Sequence, residues 1–315
     1  MQHSTSPLWV ITGPTGVGKT EAAMRIADHF PVDLISADSV MVYRDLNIGS
    51  AKPSKDELAR YPHALVDHID PEIPFDAGRF VSAATAAIHQ SWEHQRIPVL
   101  VGGTILYLRA LLYGLDRLPA ASVEVRAAIR DEARTHGWAR LHAELEAHDP
   151  ILGQEIHPHH SSRIERAVEV LRLTGSSIRS FWSGPSLSSE TFGQACRPEM
   201  LILWPEDRDA LRERLASRFD AMLAVGFLDE VQQLMQRGSL THEHASMRSV
   251  GYRQAWQYLQ GDSDFETMRG TAITATRQLA KRQLTWLRRE QNAHQLLVGS
   301  TLNSQAVLNW AASLR

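Results

Sequence analysis

The chain has 315 residues, of which 43% are hydrophobic and 22% charged, and a formal net charge of −3; those values describe an ordinary soluble globular protein long enough for two domains. The single cysteine, Cys196, excludes an internal disulfide and fits a reducing compartment. The polar start Met1–Pro7 shows no signal-peptide pattern, and no apolar run approaches the roughly 20 residues of a membrane span, so a cytoplasmic enzyme is expected.

Leu8–Thr12 is a short apolar, β-branched run that reads as a buried strand. It leads into Gly13-Pro14-Thr15-Gly16-Val17-Gly18-Lys19-Thr20, which has the G-x-x-x-x-G-K-[ST] spacing of a P-loop. Ala22, Ala23, Ile26, Ala27 and Phe30 then recur at helical spacing. Strand, glycine-rich turn and helix are what phosphate binding needs: inward N–H groups at a helix N-terminus, a mobile cation in Lys19, and a Thr20 hydroxyl able to ligate Mg²⁺. The loop indicates a diphosphate or triphosphate with Mg²⁺ and leaves the reaction open.

Asp33–Ala37 reads as a second strand ending at Asp38-Ser39, and Ala64-Leu65-Val66 is a third apolar run. Phe80–Trp92 has the pattern of an amphipathic helix. Ile97–Val101 is the most strand-like run in the chain and ends at Gly102-Gly103-Thr104. Strands alternating with helices indicate a parallel sheet, whose ligands gather at the carboxyl ends of the strands. The P-loop, Asp38-Ser39 and Gly102-Gly103-Thr104 therefore converge on one edge. No acid closes the run Val99-Leu100-Val101, where many P-loop ATPases and GTPases keep a Mg²⁺-holding Asp. ATP hydrolysis is poorly equipped, and Asp38 is the one well-placed carboxylate. Its bland alternative is a helix cap or turn residue.

From Ser122 to about Leu173 the pattern turns helical. Arg126, Ala127, Arg130 and Arg134 share one helix, Trp138–Ala147 forms another, and Ser161–Leu173 a third that stops at Thr174-Gly175. His157, His159 and His160 suggest zinc at first sight. Pro158 and the lack of nearby Cys or carboxylate ligands favour a solvated or RNA-facing turn. Ser176–Ser189 holds seven serines in fourteen residues and reads as a flexible connection. Leu201–Trp204 returns as a strand, and helices follow over Arg208–Ala224, Leu228–Arg237, Tyr252–Leu259 and Thr267–Arg289. Charge is uneven: between Gly270 and Arg289 stand Arg277, Lys281, Arg282, Arg288 and Arg289 without an acid, a patch suited to a polyanion. At 100° per residue Arg277, Lys281 and Arg288 fall within about 40° of one another, with Arg282 and Arg289 as a second stripe.

Several of these stretches, taken in order, resemble the tRNA dimethylallyltransferases. They are the P-loop, Asp38-Ser39-x-x-Val42-Tyr43-Arg44, Ile48-Gly49-Ser50-Ala51-Lys52-Pro53, Val101-Gly102-Gly103-Thr104-x-x-Tyr107, Arg248-x-Val250-Gly251-Tyr252-Arg253-Gln254 and Ala275–Gln283. Two stretches depart from the family pattern, at His159–Arg163 and at Ser246-Met247-Arg248-Ser249. The resemblance implies an α/β fold: a P-loop NTPase-like parallel sheet core flanked by helices over residues 1–120 and 198–315, with an all-helical insertion domain at 121–197. It implies transfer of a dimethylallyl group from dimethylallyl diphosphate to N6 of adenosine 37 in the tRNA anticodon stem-loop, with Mg²⁺ as cofactor and a monomeric enzyme.

Asp38 would be the general base. Lys19, Thr20, the P-loop amides and Arg248 would stabilise the leaving diphosphate. The tRNA surface would draw on Asp38, Ser39, Val40, Met41 and Thr104 around the adenine, and on Arg126, Ser162, Arg163, Ile164, Glu165 and Arg166 of the insertion. It would also take Arg248, Ser249, Val250, Gly251, Tyr252 and Arg253, and the basic Arg277, Lys281, Arg282 and Arg288. Three alternatives stay open. A small-molecule P-loop kinase shares the loop and the Asp; a non-catalytic nucleic-acid-binding module explains the basic helix alone; a prenyltransferase of free adenine nucleotides needs less surface after residue 200.

Overall fold

A computed structural model describes residues 6–114, 118–182 and 196–314. The chain divides into two compact units, one of Met1–Leu112 with Glu190–Arg315 and one of Tyr113–Ser189. Both divisions fall eight residues ahead of the expected boundaries at 120 and 197.

The larger unit is built on a six-stranded sheet in the order β3-β2-β4-β1-β5-β6, every pair parallel. Its strands are β1 (Ser6–Thr12), β2 (Val32–Ser36), β3 (His63–Ala64), β4 (Ile97–Gly102), β5 (Cys196–Pro205) and β6 (His294–Val298). β1 lies between β4 and β5, and each of its two faces packs into an apolar core, which is why its apolar run is unbroken. Alternation splits the run: Leu8 and Val10 enter one core with Ile35, Leu100, Phe80 and Tyr107, while Trp9 and Ile11 enter the other with Ile26, Val99 and Trp310. Successive strands leave β1 toward β4 and β2 on one side and β5 on the other. The carboxyl end of β1 is thus the switch point of the sheet, where open α/β sheets place their ligands.

The helices of this unit are α1 (Lys19–Ala27), α2 (Lys55–Arg60), α3 (Ala77–Glu93), α4 (Ile105–Tyr113) and, after the insertion, α9 (Arg208–Ala224), α10 (Phe227–Gln236), α11 (Tyr252–Leu259), α12 (Phe265–Leu287) and α13 (Ser304–Ala312). Their starts follow local chemistry. The Ser54 side chain and Glu57 form a capping box on α2, and Asp76 and Asp264 cap α3 and α12. β6 lies beyond the last element the sequence predicts, Thr267–Arg289. It is an edge strand whose Leu296 and Val298 pack into the core while His294, Gln295 and Leu297 stay exposed, so only two alternating apolar residues mark its inner face. α12 ends at Leu287, two residues before the expected Arg289.

The smaller unit is helical: α5 (Val123–His136), α6 (Trp138–His148), α7 (Pro150–Glu155) and α8 (Ser161–Thr174) close on Ile129, Leu141, Leu145, Leu152, Ile164 and Val168. Glu169 is buried among them and accepts from both sides of the unit: Arg126 Nε at 2.9 Å, Arg166 Nη1 at 2.5 Å and the Ser122 N–H at 2.8 Å. Burial alone would raise this carboxyl; the hydrogen bonds from Arg126 and Arg166 bring it below the ordinary glutamate range. Within the serine-rich stretch, Ile178–Phe181 forms a 3₁₀ turn capped by Ser177. Ser183, Ser186, Ser188 and Ser189 lie outside the described residues.

Candidate active site

At the carboxyl end of β1 the chain turns through the P-loop, and Gly18, at φ 97°, caps α1 in the left-handed region. Lys19 Nζ donates to Pro14 O at 2.8 Å. Burial pushes the Lys19 ammonium down to about 8, against the pull of the Asp38 carboxylate and with Arg218 adding to the fall. Asp38 follows β2. Its Oδ1 accepts from the N–H groups of Val40 at 2.8 Å and Met41 at 3.1 Å, so the turn-capping role holds and fixes the carboxylate. Among the described residues Oδ2 has no hydrogen-bond partner. Thr104, after β4, accepts from the Ser39 N–H at 3.0 Å and donates to Ser39 Oγ at 3.2 Å, tying the ends of β2 and β4 together.

Two cavities meet at this edge, of about 450 and 690 Å³. Both have Thr15, Lys19, Asp38, Ser50 and Arg218 in their walls. The first adds an apolar side from Leu215, Phe219, Met222 and Leu279, and a rim of Ser39, Val40, Thr104, Arg248, Ser249, Val250 and Gly251. The second runs along the P-loop past Gly16, Gly18 and Thr20 and takes in Met41 and Lys52. The strand ends converge as parallel-sheet logic requires, and the Lys19–Asp38 pair lies between the two spaces.

Two residues that the sequence reading missed complete the site. Arg218 on α9 faces both cavities, and burial lowers its guanidinium's pKa while Asp38 pulls the other way. Among the described residues it has no hydrogen-bonding or ion-pair partner. The signal was present: Arg218 interrupts the apolar stripe Leu211, Leu215, Phe219 and Met222 at helical spacing. Gln283 on α12 likewise sits in the stripe of Ala280, Leu284 and Leu287. Its Oε1 accepts the Thr15 N–H at 2.9 Å and its Nε2 donates to Gly103 O at 2.7 Å. A Cβ on Gly103 would fall 2.5 Å from Gln283 Nε2, so a side chain there would displace this hydrogen-bonded amide.

The expected RNA-facing residues separate. Arg282 turns into the first cavity, while Lys281 lies outside it on the adjoining stretch beside Trp286. Arg277 is exposed, its guanidinium reaching Arg212 O at 3.3 Å. Arg288 is the exposed C-cap of α12, and Arg289 lies beyond the helix, 4.7 Å above the Trp286 ring, so the second stripe ends with Arg282. Arg253 is exposed away from both cavities, and Tyr252 is buried behind the rim. In the insertion, Ile164 is wholly buried and has no surface to offer. Arg126 and Arg166 hold Glu169, and Glu165 accepts from Arg130. Ser162 and Arg163 are exposed, and the Arg163 guanidinium is unpaired among the described residues. The His157 ring lies 5.2 Å from His159 in a tilted arrangement and 6.1 Å from His160 edge-on, and no group of three metal-ligating side chains occurs among the described residues.

Comparison with known proteins gives consistent matches. Residues 41–290 match the family model for IPP transferase. A tRNA dimethylallyltransferase of Alkalilimnicola ehrlichii is 47% identical over 293 residues, covering 92% of this chain and 90% of the relative. The crystal structure of the full-length tRNA isopentenylpyrophosphate transferase of Bacillus halodurans superposes with a TM-score of 0.70 at 31% identity, over 98% of this chain and 95% of that one. A eukaryotic dimethylallyltransferase caught acting on tRNA superposes with a TM-score of 0.75 at 25% identity, over 98% and 77% of the two chains.

Proposed function

The chain belongs to the IPP transferase family, and from that premise we propose that it transfers the dimethylallyl group of dimethylallyl diphosphate to N6 of adenosine 37 in tRNA, releasing diphosphate. The observation that carries this is the shared floor of the two cavities. A base and a set of cations stand where two reactants entering from different sides would meet. The adenine amine is a weak nucleophile because its lone pair is delocalised into the ring, so a base must take a proton as the C–N bond forms. Asp38 is held by two backbone N–H groups through Oδ1 and keeps Oδ2 for that proton. Charge developing on the leaving diphosphate meets the P-loop amides, Lys19, Arg218 and Arg248, fixed in place beforehand.

Mg²⁺ fits this donor set. Thr20 offers one hydroxyl oxygen beside the second cavity, and Mg²⁺ commonly takes few protein ligands and completes its shell with phosphate and water. When bound it would neutralise part of the diphosphate charge. An adenine extruded from the anticodon loop would enter the first cavity against Ser39, Val40, Thr104 and the 248–251 rim. Arg277, Lys281 and Arg288 would hold backbone phosphates. In this reading the enzyme acts as a monomer. A tRNA substrate supports a cytoplasmic site of action, and no described helix is long and apolar enough to cross a membrane.

A P-loop kinase is not favoured by the family match, and neither a binding module nor a free-nucleotide prenyltransferase accounts for both the polar floor and the basic helix. The test is to mix the protein with unmodified tRNA, Mg²⁺ and dimethylallyl diphosphate and examine the digested nucleosides by mass. An adenosine carrying one dimethylallyl group is expected, with no nucleotide consumed. Stoichiometric release of ADP from added ATP would overturn the proposal.

A further inference from the structure

Glu230, on α10, accepts four hydrogen bonds that bring together segments far apart in sequence. Oε2 takes the N–H groups of Asn47 at 2.9 Å and Ile48 at 2.7 Å. Oε1 takes the N–H of Gly49 at 3.2 Å and the Tyr252 phenol at 2.6 Å. Three consecutive backbone N–H groups around one point form a nest of the kind that binds free anions; here the protein supplies the anion itself. Both segments so held are walls of the first cavity. Gly49 and Ser50 line it directly, and Tyr252 follows the rim residues Arg248–Gly251. The packing beneath is tight, since a Cβ on Gly49 would fall 2.2 Å from Phe227 Cε2 and 2.7 Å from the Tyr252 ring.

We propose that Glu230 is a positioning residue, an internal anion that locks the 47–50 loop to the 248–251 rim and so sets the width of the cavity in which the prenyl transfer takes place. It touches neither reactant and acts through Ser50 and the rim. Burial, and then the charge of Glu230, keep the Tyr252 phenol protonated far above its ordinary range, so it remains a donor throughout. The lock rests on the prenyl-transfer function proposed above. Glu230 also borders a third cavity of about 720 Å³, flanked by Asn47, Gln233 and Arg237. Cutting the side chain back would therefore leave the nest open to small anions from solvent.

The test uses the full chain carrying Glu230→Ala. kcat is expected to fall by about tenfold or more, the scale of a small misplacement of reacting groups, with tRNA affinity within about twofold of wild type. Formate is expected to refill the nest and raise kcat by about threefold or more, while chloride at equal ionic strength does not. Glu230→Gln, which fills the same space and adds N–H donors facing the nest, should lose kcat comparably and gain nothing from formate. It carries the test if the alanine variant fails to fold. Wild-type kcat in Glu230→Gln, or a folded Glu230→Ala that formate leaves unchanged, overturns the lock. Hydrogen exchange at the Asn47–Gly49 amides separates this from a failure of the functional assignment. Exchange should quicken in Glu230→Ala and slow again in formate whatever reaction the enzyme catalyses, and unchanged exchange overturns the lock alone. A wild-type protein that makes no prenylated tRNA overturns the assignment alone.

Discussion

Lys19 sets a pH dependence that can be worked out in advance. Burial lowers its ammonium from 10.5 to about 8, the Asp38 carboxylate resists the fall, and Arg218 adds to it. A group with a pKa near 8 is about nine-tenths protonated at pH 7 and about one-tenth protonated at pH 9. Only the ammonium form attracts the leaving diphosphate, and kcat/KM reports the site before the diphosphate binds. At saturating tRNA, kcat/KM for dimethylallyl diphosphate should therefore fall about tenfold between pH 7 and pH 9. kcat should hold to higher pH, because the bound anion favours the ammonium. Lys19→Arg stays charged throughout this range and should flatten the alkaline limb. Lys19→Ala should cost on the order of 3 kcal/mol in the transition state and also lack the limb. The assay is initial-rate transfer of labelled prenyl group across the pH series. A wild-type kcat/KM that stays level to pH 9 refutes the assignment of Lys19. The same shift acts on stability with the opposite sign from a paired lysine. Between about 8 and 10.5 the unfolded chain binds this proton and the native chain does not, so the group's contribution to stability rises with pH across that window.

Asp38→Asn keeps the turn-capping oxygen but cannot take the proton; single-turnover transfer should drop by about 10²-fold with tRNA affinity little changed, and near-normal turnover would remove Asp38 from the role. Reversing Arg277 and Lys281 to Glu should weaken tRNA binding and flatten its salt dependence by roughly one unit of slope per lost phosphate contact, while binding of dimethylallyl diphosphate without RNA stays unchanged. Glu169→Ala should destabilise the helical unit by about 1–3 kcal/mol, since it removes the acceptor of two guanidiniums that are partly exposed and can take up water in its place, read by thermal unfolding. Because hydrogen bonds hold the Glu169 carboxyl below its ordinary range, its contribution is present above the unfolded glutamate pKa and is lost as acid protonates it in the fold.

Sequence reading succeeded where one physical demand dominates a stretch. β1 is covered on both faces, so its apolar run has no competing pattern, and the P-loop needs its glycines and Lys19 at fixed spacing. It failed where a residue's role depends on a distant partner. Arg218, Gln283 and Glu230 are ordinary polar residues until the fold brings them against the P-loop, β4's end and the 47–49 loop. Each interrupts or borders an apolar helical stripe, a trace visible once helix faces are drawn. In the insertion, family likeness grouped Ser162 through Arg166 together, whereas helical geometry puts Ile164 inside and Ser162 and Arg163 outside. Arg126 and Arg166 read as RNA-facing cations; each is engaged by Glu169, buried and three or more residues away.

Gln283 grips the third residue of the P-loop with one end of its amide and the end of β4 with the other, from the helix that also carries Arg277 and Lys281. The loop that would hold the diphosphate and the helix that would hold the RNA are thus fastened at a single side chain. Thermodynamic reciprocity then applies to the two ligands. Whatever factor diphosphate occupancy imposes on RNA affinity, RNA occupancy must impose on diphosphate affinity. A substitution at Gln283 that alters this coupling must change both factors together and by the same amount.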